Sequence, residues 1–302
     1  MLSLWQRLPV VVRAVLTGLI VAAAGTTPWA ILVRANQIHR PDIPWAVLPT
    51  ALYLWLFWRY VQGDWWPRST AVARRSSCRS NPVPPEVWGP ALLAGGLGLV
   101  ALVFLMNVMN RLIRLPAQQT GDLSHVSSIT LLGWLLMSAL VAGIAEESAF
   151  RGYMQGPIER RHGPVIAILL TGSLFGFAHF SHPEIGLVLM PYYLAVATIY
   201  GALAYLTNSI WPGAVLHASG NVLGSLDLLT RGQAEWQASS SPAPLVWQSG
   251  PDARFLVACL LFLSVTLAAI WAYTMLANVA RKHAGSSLLQ PMTPAAVRGT
   301  EL

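Results

Sequence analysis

Eight stretches of about 20 predominantly apolar residues, each long enough as a helix to cross a roughly 30 Å hydrocarbon core, dominate this sequence. They lie near residues 10–33, 44–62, 87–110, 127–148, 164–181, 185–206, 209–228 and 254–279. In lipid no water satisfies a backbone N–H or C=O, so each run is expected to be a helix that closes its own hydrogen bonds. The fold class expected is therefore an all-α integral membrane protein with about eight transmembrane helices. Composition agrees, with 55% hydrophobic residues, 10% charged residues and 13 Trp, where soluble domains average about 25% charged.

The net charge of +7 comes from 18 Arg and a single Lys against 12 acids. These cations lie mainly between the apolar runs, which is a topology signal, so membrane lipid is the partner expected and nucleic acid is not. Arg59, Arg68, Arg74, Arg75 and Arg79 follow the second run, and Arg151, Arg160 and Arg161 follow the fourth. Positively charged loops stay in the cytoplasm. With eight spans this places both termini there too, most simply in a bacterial inner (plasma) membrane, and Cys78 in the loop 64–86 is a thiol probe of that side. Cys78 and Cys259 are too few for a disulfide framework or a zinc-ligand spacing. The first run is expected to be a retained helix; Arg7 and Arg13 before an apolar stretch ending in Ala22-Ala23-Ala24 also fit a secretory signal.

Three regions follow. Residues 1–126 hold about three membrane helices and the cytoplasmic Arg-rich loop 64–86. Residues 127–228 form a core, and 229–302 contain a polar loop with Ser239-Ser240-Ser241-Pro242, a last span and a polar tail.

Ionisable side chains inside membrane helices cost at least about 2.5 to 3.5 kcal/mol each, so those in the core ask for a functional explanation. Glu147 and Arg151 are four residues apart, acid first, which suits a structural ion pair on one helix face. Glu146 is turned about 100° away and is free to face something else. His179 follows Phe175 by four residues, so ring and imidazole can pack together. His217 and Asn221 share a face for the same reason. If the helix with Glu146 turns back at His162-Gly163-Pro164, then Glu146 and His179 lie about 22 to 25 Å from the turn on their two arms and meet at one depth. His217, about 12 Å from the Thr207-Asn208 turn, matches less well.

A carboxylate beside an imidazole can take a proton from water, and a second imidazole with a carboxamide can hydrogen-bond the oxyanion formed when that water attacks an amide. The same Glu146, His179 and His217 could instead ligate Zn²⁺ with water in the fourth place. Both mechanisms are open at this point.

The motifs Glu146-Glu147-Ser148-Ala149-Phe150-Arg151, Phe175-Gly176-Phe177-Ala178-His179 and His217-Ala218-Ser219-Gly220-Asn221 resemble the EExxxR, FxxxH and HxxxN motifs of the CAAX protease and bacteriocin-processing (CPBP, or Abi) family. They occur in the family's order, and the likeness covers about residues 127–228. It implies an intramembrane endopeptidase, glutamate- or metal-dependent, acting on a membrane-associated or prenylated peptide or protein substrate, with a core hairpin carrying the first two motifs. Glu146 and His179 would activate water, His217 and Asn221 would stabilise the oxyanion, and Glu147, Arg151 and Phe175 would support them. The rival readings are a non-catalytic bacteriocin-immunity or binding protein, and a transporter or proton relay, since buried Glu and His also mark ion pathways.

Overall fold

A computed structural model describes residues 2–114, 123, 125–179, 183–231 and 243–289. Within them regular structure is helical, apart from an isolated antiparallel bridge between Ser80 and Ser209. The principal helices are α1 (Val10–Ile38), α2 (Val47–Val61), α3 (Ala71–Cys78), α4 (Pro85–Leu112), α5 (Ser128–His162), α6 (Pro164–Ala178), α7 (Pro183–Thr207), α8 (Trp211–Arg231) and α9 (Ala253–Leu289).

A helix occupies each of the eight apolar runs, but they differ as membrane elements. Five segments are long and apolar enough to span: α1, α4, α5, Gly186–Thr207 of α7 and Ala253–His283 of α9. Helices α2 and α6 have 15 residues each, about 22 Å of rise, which falls short of a full hydrocarbon core. Helix α8 is 21 residues long but carries His217, Ser219 and Asn221 in its sequence. Long spans thus pack with shorter or more polar helices.

The Arg-rich stretch 64–86 is more ordered than a loop. It folds into α3, docked by Arg74, whose guanidinium donates to the carbonyls of Tyr60, Trp65 and Pro67 and lies over the Tyr60 ring at 4.4 Å. Arg79 pairs with Glu159 at 2.8 Å and donates to Asn208 Oδ1. Two of the cations that signal topology therefore also hold the protein together. Helix α9 continues to Leu289, past the end of the last apolar run at residue 279 and into the expected polar tail. Residues 290–302 and the Ser239-Ser240-Ser241-Pro242 stretch lie outside the described residues.

Helix α5 starts with Ser127, whose side chain accepts from the Thr130 N–H, filling one of the donors a helix start leaves open. From Ala142 to Gln155 its turns widen to the i→i+5 pattern, a form usually confined to short bulges and frequent at functional sites. Gly156-Pro157 does not break the helix; α turns resume there. At Gly163, where φ is +83°, the chain reverses into α6, so the hairpin turn falls where the sequence places it.

Along the back of α5 runs α1. A Cβ on Gly18 would stand 2.7 Å from the end of Met154, and one on Gly25 would stand 2.4 Å from Ala145 Cβ. These two glycines let the helices approach at side-chain-free points. Ala14, Ala149, Met154 and Ile158 join one buried cluster, while Trp29, Phe57, Ala145 and Tyr153 join a second.

Candidate active site

The wide segment of α5 brings both adjacent glutamates to one polar interior. Glu147 is fully buried, Arg151 is 1% exposed and His217 is 7% exposed. Glu147 Oε1 accepts from His217 Nδ1 at 2.9 Å, and its Oε2 lies 3.5 Å from Arg151 Nε. One carboxylate therefore joins the ion pair expected within α5 to an imidazole on α8. The guanidinium lies over aromatic rings, 4.9 Å from the centre of Phe175 and 5.5 Å from that of Tyr200, contacts that stabilise a cation best when water is excluded.

Because a carboxylate only accepts, Nδ1 of His217 carries the proton of that hydrogen bond. Its Nε2 points toward Glu146, 3.8 Å from Oε2. That oxygen is buried and has no hydrogen-bond partner among the described residues. A separation of 3.8 Å is too long for a direct hydrogen bond.

Small residues permit this closeness. A Cβ on Gly213 would stand 2.9 Å from Glu147 Oε2, and one on Gly143 would stand 2.8 Å from the Ala214 carbonyl. Axial rise alone puts His217 at a poorer depth than His179, yet α8 packs directly on α5 at these two glycines and carries His217 to the glutamates.

His179 ends α6. Its Nδ1 donates to the Phe175 carbonyl at 2.8 Å, leaving Nε2 uncommitted by that bond. Phe175 is 3% exposed, meets Phe150 edge-on at 5.1 Å, and lies 4.3 Å from the His179 ring and 6.4 Å from that of His217. Phe175 thus touches both imidazoles' surroundings, while no hydrogen bond or ion pair joins His179 to Glu146 among the described residues. Asn221, one turn beyond His217 on α8, is half-buried.

Two aromatic neighbours were not singled out from sequence. Tyr200 stacks on His217 at 5.0 Å with an interplanar angle of 11°, and Tyr193 lies 5.3 Å from His179. Their seven-residue spacing, which sets both on one face of α7, was the available signal.

Among the described residues no three His, Cys, Asp or Glu side chains converge as a metal cluster. Glu146 and His217 approach each other, but His179 does not complete a three-ligand zinc set.

Apolar spanning helices around a buried carboxylate-imidazole-guanidinium cluster define an integral membrane protein with polar chemistry in its interior. Residues 128–223 match the family model described as Type II CAAX prenyl endopeptidase Rce1-like, a match consistent with the CAAX protease family. The match takes in all three motifs and leaves out α1 to α4 and α9. Neither a curated protein nor a solved structure matches the chain.

Proposed function

We propose that this protein is an intramembrane endopeptidase that hydrolyses a peptide bond in a membrane-associated or prenylated peptide, using a water activated by Glu and His. The observation that carries this reading is the unpartnered, buried Glu146 Oε2 facing His217 Nε2 across 3.8 Å. One water can touch both groups across that gap.

In this mechanism Glu146 takes a proton from the water as its oxygen attacks the substrate carbonyl carbon. His179, with Nε2 free of its backbone bond, is the second acceptor beside the water. The oxyanion receives hydrogen bonds from His217 and Asn221. For His217 to donate through Nε2 it must be protonated on both nitrogens, and that charge brings Glu146, Glu147 and Arg151 together to neutrality. Glu147 and Tyr200 hold the imidazole in place. Collapse of the intermediate breaks the C–N bond, and the proton held by Glu146 passes to the leaving nitrogen. General base catalysis of this kind contributes about 10²- to 10⁴-fold, and each oxyanion donor about 10²- to 10³-fold. The Arg-rich end of the bundle, with both termini, faces the cytoplasm in this reading.

The test is cleavage of a farnesylated peptide and its unprenylated counterpart by protein reconstituted in bilayers. Glu146→Gln should abolish cleavage while leaving the protein folded. Near-normal cleavage by that variant defeats the proposal.

A further inference from the structure

A cavity of about 840 Å³ opens between α1, α3 and the end of α5, where Tyr153, Pro157, Arg160 and Arg161 line it. Its lining is divided in character. Arg13, Arg160 and Arg161 contribute cationic groups, whereas Ala14, Ile20 and Val21 contribute an apolar wall. No carboxylate lines it. Arg74 also borders the cavity, but its N–H groups are engaged with backbone carbonyls of the segment before α3.

The other cations differ from Arg74. Arg13 Nε is buried without a hydrogen-bond partner among the described residues. Arg160 and Arg161 are exposed, and none of the three forms an ion pair among the described residues. A buried guanidinium N–H left unpaired is costly, and three uncompensated cations in one recess repel each other. An anion removes both penalties. Trp5 lines the same recess, and Trp66, just before the lining residue Thr70 in sequence, is 76% exposed; such indoles characterise the level where headgroups meet hydrocarbon. An apolar wall leading from a cationic mouth at that level suits an anion with an attached hydrocarbon chain.

We infer that this cavity is a binding site for an anionic phospholipid, whose phosphate sits among Arg13, Arg160 and Arg161 and whose acyl chain lies along Ala14, Ile20 and Val21. Such a lipid would bridge α1 to the end of α5, so it would brace the back of the helix that carries Glu146 and Glu147. The inference does not depend on the protein being a peptidase.

The test uses the full chain in a neutral detergent, with binding read by native mass spectrometry and folding by the thermal unfolding midpoint. The probes are dioleoyl phosphatidylglycerol, dioleoyl phosphatidylcholine and glycerol phosphate without acyl chains. Phosphatidylglycerol should bind in preference to phosphatidylcholine and raise the midpoint. The exposed pair change Arg160→Gln with Arg161→Gln should weaken it roughly thirtyfold, as expected for two interfacial charges, with the lipid-free midpoint unchanged. Arg13→Gln should weaken it as well. Equal binding of the two lipids, or undiminished phosphatidylglycerol binding by the double variant, would overturn the inference. Glycerol phosphate binding as tightly as the lipid would make the site one for a soluble phosphate and overturn the lipid assignment.

Discussion

His217 Nδ1 lies 2.9 Å from Glu147 Oε1, so the second glutamate of the motif, and not the first, is the direct hydrogen-bond partner of the α8 imidazole. Glu147 consequently belongs to two interactions at once, with Arg151 on its own helix and His217 on another. Its loss should disturb folding and orientation together. Breaking a buried pair by removing one partner costs about 3 to 5 kcal/mol, so Glu147→Ala and Arg151→Ala should each sharply lower the yield of folded protein in detergent. The double variant should recover part of that yield. Single variants as stable as the parent would show that the pair carries no structural load.

Glu146 should behave differently, since no described hydrogen bond depends on its Oε2. Glu146→Ala should retain the parent's unfolding midpoint and lose cleavage by about 10²-fold or more. If Glu146, His179, His217 and Asn221 act as a unit, a double Ala variant should be little worse than either single one. Activity that vanishes on exhaustive chelation and returns with Zn²⁺ would instead assign Glu146 and the imidazoles to a metal.

Gly213 is a position where side-chain bulk should be poorly tolerated, because an added Cβ meets Glu147 Oε2 at 2.9 Å. Gly213→Val should push α8 from α5, separating His217 from Glu147. Cleavage should fall more than the folded yield does. Full activity in this variant would show that the close approach of the two helices is dispensable.

Cys78, chosen from sequence as a probe of the Arg-rich segment, is completely buried against Ser148, and burial pushes its thiol up to about 11. It is therefore a poor reporter of which side that segment faces. Since the thiolate is the reactive form, a soluble maleimide should leave Cys78 unlabelled at neutral pH in open membranes and react after denaturation. Rapid labelling of the native protein from either side would contradict this burial. A cysteine placed at the exposed Val72, on the same helix α3, is the better topology probe.

Asp252, just before α9, accepts from both the Arg111 guanidinium and the Phe255 N–H, and the Arg111 hydrogen bond foremost holds its carboxyl below the ordinary 3.8. A depressed folded-state value means that the contact stabilises above the ordinary carboxylate range and is lost as pH falls through the lower value. The midpoint difference between the parent and Asp252→Asn should be full at neutral pH and shrink in acid. A difference that grows on acidification would reverse the sign and refute the assignment.

The membrane class and the hairpin turn at Gly163 were legible because apolar run length and turn residues are local properties. The meeting of His217 with Glu147 was less so. Rise along separate helix axes says nothing about tilt, and the approach depends on Gly143 and Gly213, whose significance appears only when α5 and α8 are packed. Arg79 read as a topology charge, although it pairs with Glu159 some eighty residues away. Sequence spacing likewise gave Glu147 its i,i+4 partner but not its second one on α8.

The widened turns of Ala142–Gln155 have a bearing on how insertions and deletions act here. Each i→i+5 turn closes a larger ring than an i→i+4 turn and so stores surplus backbone. A deletion inside this stretch can be absorbed by narrowing one turn, without moving either end of α5. The helix would then keep both its span and the facing of the residues on either side of the narrowed turn, whereas the same deletion in an α turn rotates everything beyond it by about 100°. The wide segment can therefore lose a residue that the α turns on either side of it cannot lose without turning one end of α5 away from its neighbours.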